Sequence, residues 1–135
     1  MGVQVISRRL KVLLVDDSRM LVERLTEAIR QIPAIDLVGT ADTEASAIAF
    51  ARQQAIDVII LDLQLKRGTG FGVMRALNSA PWRPRILVVM TNYDLPEYKH
   101  AALALGATHF FDKLRDYDRL PELIKEVSAE HSPTP

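Results

Sequence analysis

The chain of 135 residues has no cysteine, no excess of charge of either sign and no long apolar run. Without cysteine it can form neither a disulfide nor a thiolate metal site. Seventeen basic and seventeen acidic residues balance, so no net field attracts nucleic acid or an anionic membrane, and we expect neither as a direct partner. No apolar stretch approaches the roughly 18–20 residues of a membrane span. The N-terminal arginines follow the apolar residues, unlike in a secretory signal, and we therefore expect a soluble cytoplasmic protein.

The length predicts a single domain that can bury a hydrophobic core. Its hydrophobic content of 48% and charged content of 25% are ordinary for a globular protein. We expect residues 1–9 to form a flexible lead-in, residues 10–128 to form the domain, and residues 129–135 to form a C-terminal tail.

The most informative segment is residues 58–62, Val-Ile-Ile-Leu-Asp. A short apolar run with two isoleucines is typical of a strand buried on both faces. Such a strand accommodates an acid only at its end, so Asp62 is predicted to lie at the rim of a sheet, where α/β folds place their functional residues. Three further apolar runs also lead to polar residues: 12–15 to Asp16 and Asp17, 86–90 to Thr91, and 108–111 to Asp112 and Lys113.

Segments with apolar residues at helical spacing separate these runs. Leu21, Leu25 and Ile29, for example, fall on one face of a helix that Ser18 can cap and that ends before Pro33. Residues 36–41 form one more short strand, which is less apolar than the others and therefore expected near a sheet edge. Strand and helix alternate five times with short connections. This pattern predicts an α/β domain with a five-stranded parallel sheet and helices on both faces.

The carboxyl ends of parallel strands lie along one edge of the sheet. If the first and third strands are neighbours, Asp16, Asp17 and Asp62 come within several Å and repel by several kcal/mol per pair at roughly 4 Å, for an effective dielectric near 20. A divalent cation relieves this repulsion, and an all-oxygen site suits Mg²⁺ or Mn²⁺. Lys113 adds a positive charge and Thr91 a hydroxyl donor, both suited to phosphoryl oxygens. With Asp62 as the nucleophile, the product would be an aspartyl phosphate.

In this order and at these strand ends, Asp16, Asp17, Asp62, Thr91 and Lys113 resemble the receiver domain of bacterial two-component response regulators. The resemblance covers roughly residues 10–128 and points to a single-domain regulator of the chemotaxis type. It implies the flavodoxin-like strand order 2-1-3-4-5. It also implies that Asp62 accepts a phosphoryl group from a phosphohistidine of a sensor histidine kinase or a histidine phosphotransfer protein. The output would be contact with a downstream protein, and homodimerisation on phosphorylation is left open.

The same resemblance implies a role for each site residue. The metal set would be Asp16 (acting through water), Asp17, Asp62 and the backbone carbonyl of Gln64. Thr91 and Lys113 would hold the phosphoryl oxygens, while Thr91 and Phe110 would act as the switch. That switch would alter the face made by the fourth helix, the fifth strand and the fifth helix. No organic cofactor is implied, and the domain would assist only its own phosphorylation and dephosphorylation, so it would not be an enzyme.

Three residues depart from the family pattern. Leu114 follows the lysine where the family usually has a proline with a cis bond. A cis bond costs about 2.5–4 kcal/mol without proline, so this loop is either trans or strained. Lys66 stands where proline is frequent, and Asn92 stands where a small residue is usual.

The sequence leaves three alternative functions. An aspartate-nucleophile phosphatase of the haloacid dehalogenase type needs Asp-x-Asp after its first strand, whereas Asp16 and Asp17 are adjacent. A flavin-binding module needs a Ser/Thr/Gly-rich phosphate loop after the first strand, where this chain has the two adjacent aspartates. The chain could also be the receiver part of a longer DNA-binding transcriptional regulator, with its Pro-Thr-Pro end as the beginning of a linker.

Overall fold

The computed structural model describes residues 9–131, which form alternating strands and helices. In order, the elements are β1 (Leu10–Val15), α1 (Arg19–Arg30), β2 (Ile35–Ala41), α2 (Glu44–Gln53), β3 (Val58–Asp62), α3 (Gly70–Leu77), β4 (Ile86–Thr91), α4 (Pro96–Ala104), β5 (His109–Asp112) and α5 (Arg119–His131). The predicted alternation is confirmed. Residues 1–8 of the expected lead-in and residues 132–135 of the expected tail lie outside the described part. α5 continues to His131, so residues 129–131 are helical.

The five strands form one parallel sheet in the order β2-β1-β3-β4-β5. This confirms the flavodoxin-like order and the edge position of β2. β1 and β3 are neighbours, and Val15 pairs with Leu61. The residues that follow this pair, Asp16 and Asp62, therefore emerge side by side. On the other side of β3, Asp62 pairs with Met90, one residue before Thr91.

The central strand is buried on both faces, as its composition predicts. All five residues of β3 are buried. Ile59 and Leu61 pack with side chains from α2, α3 and α4, whereas Val58 and Ile60 pack with side chains from α1 and α5. Since both faces of β3 are covered, its one polar side chain, Asp62, lies at the end of the strand.

Side-chain hydrogen bonds fix where the first three helices begin. Ser18 Oγ accepts from the N–H of Leu21 at 3.4 Å, and Thr43 forms a reciprocal capping box with Ser46. Thr69 Oγ1 caps α3. These caps satisfy amides that have no partner within a helix. Among the described residues, no helix combines the length and apolar character that crossing a bilayer requires.

Candidate functional site

Three aspartates meet at the carboxyl edge of the sheet. Asp16, Asp17 and Asp62 each offer a carboxylate oxygen, and these oxygens lie within 4.8 Å of one another. The pairing of β1 with β3 produces this proximity. Asp16 is 4% exposed and Asp62 is 5% exposed, whereas Asp17 is exposed. The structure thus brings together two buried acids and one that faces solvent.

Lys113 contacts both buried acids at once. Its Nζ lies 2.8 Å from Asp16 Oδ2 and 2.8 Å from Asp62 Oδ2. The backbone N–H of Lys113 donates to the carbonyl of Thr91 at 2.9 Å. Lys113 therefore already compensates part of the carboxylate repulsion for which the sequence predicts a metal ion. A single cation bridging two acids also holds them at a fixed separation.

Burial raises the pKa of Asp62 above its ordinary value, and this effect outweighs the hydrogen bond and positive charge of Lys113. The neighbouring Asp16 carboxylate raises it further. For Lys113, burial alone would lower the pKa, but the hydrogen bonds and negative charges of Asp16 and Asp62 raise it overall. Lys113 is therefore charged at neutral pH, and Asp62 is a carboxylate whose ionised form is disfavoured by its surroundings.

The donor set fits a divalent cation. Within the described part of the chain, one ammonium contacts two of the three clustered acids, so the cluster holds more acidic groups than Lys113 can neutralise. A cavity of about 150 Å³ opens beside them, lined by Asp17, Ser18, Asp62, Gln64, Asn92, Tyr93 and Lys113. Gln64 is in this lining, and its N–H donates to Asp62 Oδ1 at 3.2 Å. Oxygen ligands beside open solvent suit Mg²⁺ or Mn²⁺, which retain water in their shells.

The two predicted switch residues lie on the neighbouring strands β4 and β5. Thr91 is 1% exposed, and its Oγ1 accepts from the N–H of Tyr93 at 3.0 Å. This contact uses the oxygen as an acceptor and leaves the hydroxyl proton for another partner. Phe110 is partly buried and packs on the side of the sheet covered by α2, α3 and α4. Phe111, the next residue, is 4% exposed and packs on the opposite side.

The loop from β3 to α3 passes close to Asp62. A Cβ at Gly70 would lie 2.4 Å from the carbonyl oxygen of Asp62, so only glycine fits where α3 begins. The three departures from the family pattern are all at exposed positions: Lys66, Asn92 and Leu114. Every peptide bond within residues 9–131 is trans, including the one between Lys113 and Leu114. Of the two possibilities that the sequence leaves for this loop, the structure therefore has the trans bond.

Sequence reasoning missed one buried acid near the site. Asp116 is 6% exposed and lies in the loop between β5 and α5. Its Oδ2 accepts from the backbone N–H of Asp112 at 2.9 Å. In the sequence, Asp116 belongs to the polar segment 112–119, which has the composition of an ordinary solvated loop. No periodicity or motif in that segment distinguishes Asp116 from its neighbours.

Comparison with known proteins identifies the class of domain. The model of the response regulator receiver domain family matches residues 12–125. The chain therefore belongs to the response regulator receiver domain family, whose members act in two-component signalling. Among solved structures, the signal receiver domain of the putative response regulator NarL from Mycobacterium tuberculosis has a TM-score of 0.79 at 22% identity, covering 90% of this chain and 98% of that one. At this identity the likeness shows the fold alone.

Two curated relatives show the range of proteins that contain a similar domain. Protein-glutamate methylesterase/protein-glutamine glutaminase of Symbiobacterium thermophilum is 32% identical over 136 residues, covering 96% of this chain and 38% of that protein. Transcriptional regulatory protein CitB of Klebsiella pneumoniae is 31% identical over 120 residues, covering 89% of this chain and 51% of that protein. The chain thus spans about half or less of the length of these relatives.

Proposed function

We propose that this chain is a phosphoacceptor, in which Asp62 takes a phosphoryl group from a phosphohistidine of a sensor histidine kinase or a histidine phosphotransfer protein. The observation that carries the proposal is the convergence of Asp16, Asp17 and Asp62 within 4.8 Å, with Lys113 Nζ at 2.8 Å from two of them. A disfavoured carboxylate beside a fixed cation, at the edge of the sheet, is a reactive arrangement.

In the proposed reaction, a carboxylate oxygen of Asp62 bonds to phosphorus while the bond from phosphorus to the imidazole nitrogen breaks. Lys113 neutralises charge on the phosphoryl oxygens, and the hydroxyl of Thr91 donates a hydrogen bond to one of them. Asp16, Asp17, Asp62 and the backbone carbonyl of Gln64 would hold Mg²⁺ or Mn²⁺. Bound there, the cation supplies positive charge that offsets the carboxylates and the phosphoryl oxygens. The chain assists its own phosphorylation and dephosphorylation and acts on no separate substrate.

Phosphorylation then shifts the population of two packings. Lys113 already contacts the free carboxylate of Asp62. A phosphoryl group on Asp62 adds a contact with the Thr91 hydroxyl, so it favours the packing in which that contact forms. Phe110 transmits the change to the face made by α4, β5 and α5. α4 is suited to move, since Ala102 is its one buried residue. The changed face would bind a downstream protein or a second copy of the chain.

An apolar surface beside the site suits a protein donor. Met20 and Leu114 are 68% and 88% exposed and line a cavity of about 410 Å³ that also reaches Lys113. Large exposed apolar side chains next to a reactive group are typical of a contact surface. We therefore propose that the phosphohistidine protein contacts Met20 and Leu114 while its imidazole reaches Asp62.

The proposed location of the protein in the cell is the cytoplasm.

A second candidate is a receiver within a longer regulator. The chain covers only 38% and 51% of the two relatives described above. In this alternative the same phosphorylation controls a further domain, such as one for DNA binding, in place of a free downstream protein. The length of the natural reading frame distinguishes the two. No observation favours a phosphatase or a flavin-binding module.

Incubation with acetyl phosphate and Mg²⁺ tests the proposal. We expect intact-mass spectrometry to show one added phosphoryl group on the wild-type protein and none on Asp62→Asn. Asp57→Asn is the matched control: Asp57 precedes the same strand at its other end, where its Oδ2 accepts from the N–H of Lys11 at 2.8 Å. A label that persists in Asp62→Asn at another residue would contradict the assignment.

A further inference from the structure

Two aspartates close the loop that carries Lys113. The N–H of Asp112 donates to Asp116 Oδ2 at 2.9 Å, and the N–H of Asp116 donates to the carbonyl of Asp112 at 2.9 Å. The carboxylate of Asp112 accepts from the N–H groups of Leu114 and Arg115, both at 2.9 Å. Two of these four hydrogen bonds join the ends of residues 112–116, and the other two tie Asp112 to the residues that follow Lys113.

Packing contributes little to the shape of this loop. Leu114 is 88% exposed, and the side chain of Arg115 is 65% exposed. The peptide bond that follows Lys113 is trans and has no proline to restrict it. The backbone at Lys113 is therefore fixed by hydrogen bonds: its own N–H donates to the carbonyl of Thr91, and the bonds between Asp112 and Asp116 hold the loop on its other side. Of the two loop aspartates, Asp116 is the more deeply buried.

The carboxylate of Asp116 is not a cap for the following helix. α5 begins at Arg119, whose N–H donates to the backbone carbonyl of Asp116 at 2.9 Å. The side chain of Asp116 is directed instead to Asp112, at the end of β5. The guanidinium groups of Arg115 and Arg119 contact its oxygens at 3.3 Å and 3.5 Å. The carboxylate of Asp116, held between two arginines, thus accepts a hydrogen bond from the backbone N–H of Asp112, the residue immediately before Lys113.

We infer that Asp116 is a positioning residue for Lys113, acting through the hydrogen bond from the N–H of Asp112. The lysine side chain is long and flexible, so its Nζ meets Asp16 and Asp62 only if its backbone is held in place. A displacement of about 1 Å at a reacting group can slow a reaction by about a hundredfold. The inference rests on the proposed function, because the position of Lys113 matters to phosphoryl transfer onto Asp62.

The first test is the rate of phosphorylation by acetyl phosphate. We expect Asp116→Ala to slow the reaction by about tenfold, as loss of positioning does. Asp116→Asn keeps an oxygen that can accept from Asp112, so it should recover most of the rate. Asp118→Ala is the matched control, since it removes an exposed acid from the same loop, and it should stay within about twofold of wild type. Urea unfolding of each variant establishes that the samples compared are folded.

The second test is Mg²⁺ affinity by isothermal titration calorimetry. The ammonium of Lys113 competes with a divalent cation for Asp16 and Asp62. If Asp116→Ala displaces Lys113, Mg²⁺ should bind as tightly as in wild type or more tightly, whereas general loosening of the site would weaken binding. In a Lys113→Met background, Asp116→Ala should leave the affinity within about twofold, because the competing ammonium is already absent.

Each outcome bears on a different claim. Asp116→Ala that is phosphorylated as fast as Asp118→Ala, or that binds Mg²⁺ more weakly than wild type, overturns the inference while the proposed function stands. A wild-type protein that neither binds Mg²⁺ nor takes up a phosphoryl group overturns the proposed function, and the inference with it.

Discussion

Asp62 and Asp116 are covered from solvent to almost the same extent, at 5% and 6% exposure, yet their carboxyl groups are affected in opposite directions. Burial raises the pKa of Asp62 against the opposing effect of Lys113. The N–H of Asp112 lowers the pKa of Asp116 against the opposing effect of burial, and Arg115 and Arg119 lower it further. Equal coverage therefore does not mean equal cost of ionisation.

The difference lies in what covers each group. Asp62 ends the central strand and has a second buried acid, Asp16, as its neighbour. Asp116 lies in a surface loop, covered by a backbone amide and two arginine side chains that themselves face solvent. The surroundings of Asp62 disfavour its ionised form, whereas those of Asp116 favour its ionised form.

The largest difference between Asp62 and Asp116 should appear in the stability of variants that lack a basic partner of each. In metal-free buffer, Lys113→Met leaves two buried carboxylates without a cation, and we expect it to lower the free energy of unfolding by about 3 kcal/mol. Arg115→Met removes an exposed partner of Asp116, and it should change stability little. Urea unfolding measures both. Equal losses in the two variants would contradict the contrast.

Replacing Asp116 and replacing Asp62 should change the stability of the protein in opposite directions. Asp116→Ala takes away the acceptor for the N–H of Asp112, which should lower the free energy of unfolding by about 1–2 kcal/mol. Asp62→Asn removes a disfavoured charge and should raise the thermal midpoint of the metal-free protein. Thermal unfolding in the presence of a chelator measures the pair. A destabilised Asp62→Asn would show that its charge supports the fold.

Magnesium should act on one of the two environments only. A cation held by the cluster of Asp16, Asp17 and Asp62 should add about 1.4 kcal/mol to the free energy of unfolding when its free concentration is about ten times its dissociation constant. Asp17→Asn should lose this gain, whereas Asp116→Asn should keep it, because Asp116 lies outside the cluster. Chelation should reverse the gain. A gain retained in Asp17→Asn would place the cation elsewhere.

The smallest expected effect is the pH dependence. Because the pKa of Asp116 is lowered on folding, its contribution is present above the unfolded-state pKa near 3.8 and is lost as pH falls through the folded-state pKa. The stability difference between wild type and Asp116→Asn should therefore shrink on acidification. Asp62 has the reverse sign: wild type should lose stability relative to Asp62→Asn as pH rises through the raised pKa of Asp62. Urea midpoints between about pH 3 and pH 7 measure both. Parallel curves would contradict the two opposite shifts.

Much of the fold could be predicted from local patterns. The apolar run before Asp62 predicts a strand buried on both faces, and all five residues of β3 are buried. The weaker apolar character of residues 36–41 predicts an edge strand, and β2 is at the edge. The strand order itself came from resemblance to a family, because periodicity within a segment carries no information on which strands pair.

The site was predictable as a set of residues but not as a set of contacts. Polar residues that follow buried parallel strands lie at one edge of the sheet, and for this reason the sequence predicts that Asp62 and Lys113 belong to one site. That Lys113 Nζ would bridge Asp16 and Asp62 depends on the path of the chain after β5. The hydrogen bond from Asp112 to Asp116 depends on the same path.

The sequence by itself determined the strands, the helices between them and the acids at their ends, because these follow from the spacing of apolar residues along the chain. The tertiary structure alone decided that two aspartates with equal exposure differ in charge preference. For Asp62 that preference depends on Lys113 and Asp16, which the fold brings from distant positions in the chain. For Asp116 it depends on the conformation of the loop, which places the N–H of Asp112 and two arginine side chains around the carboxylate. Electrostatic energy depends on distances in space, which separation along the chain does not supply.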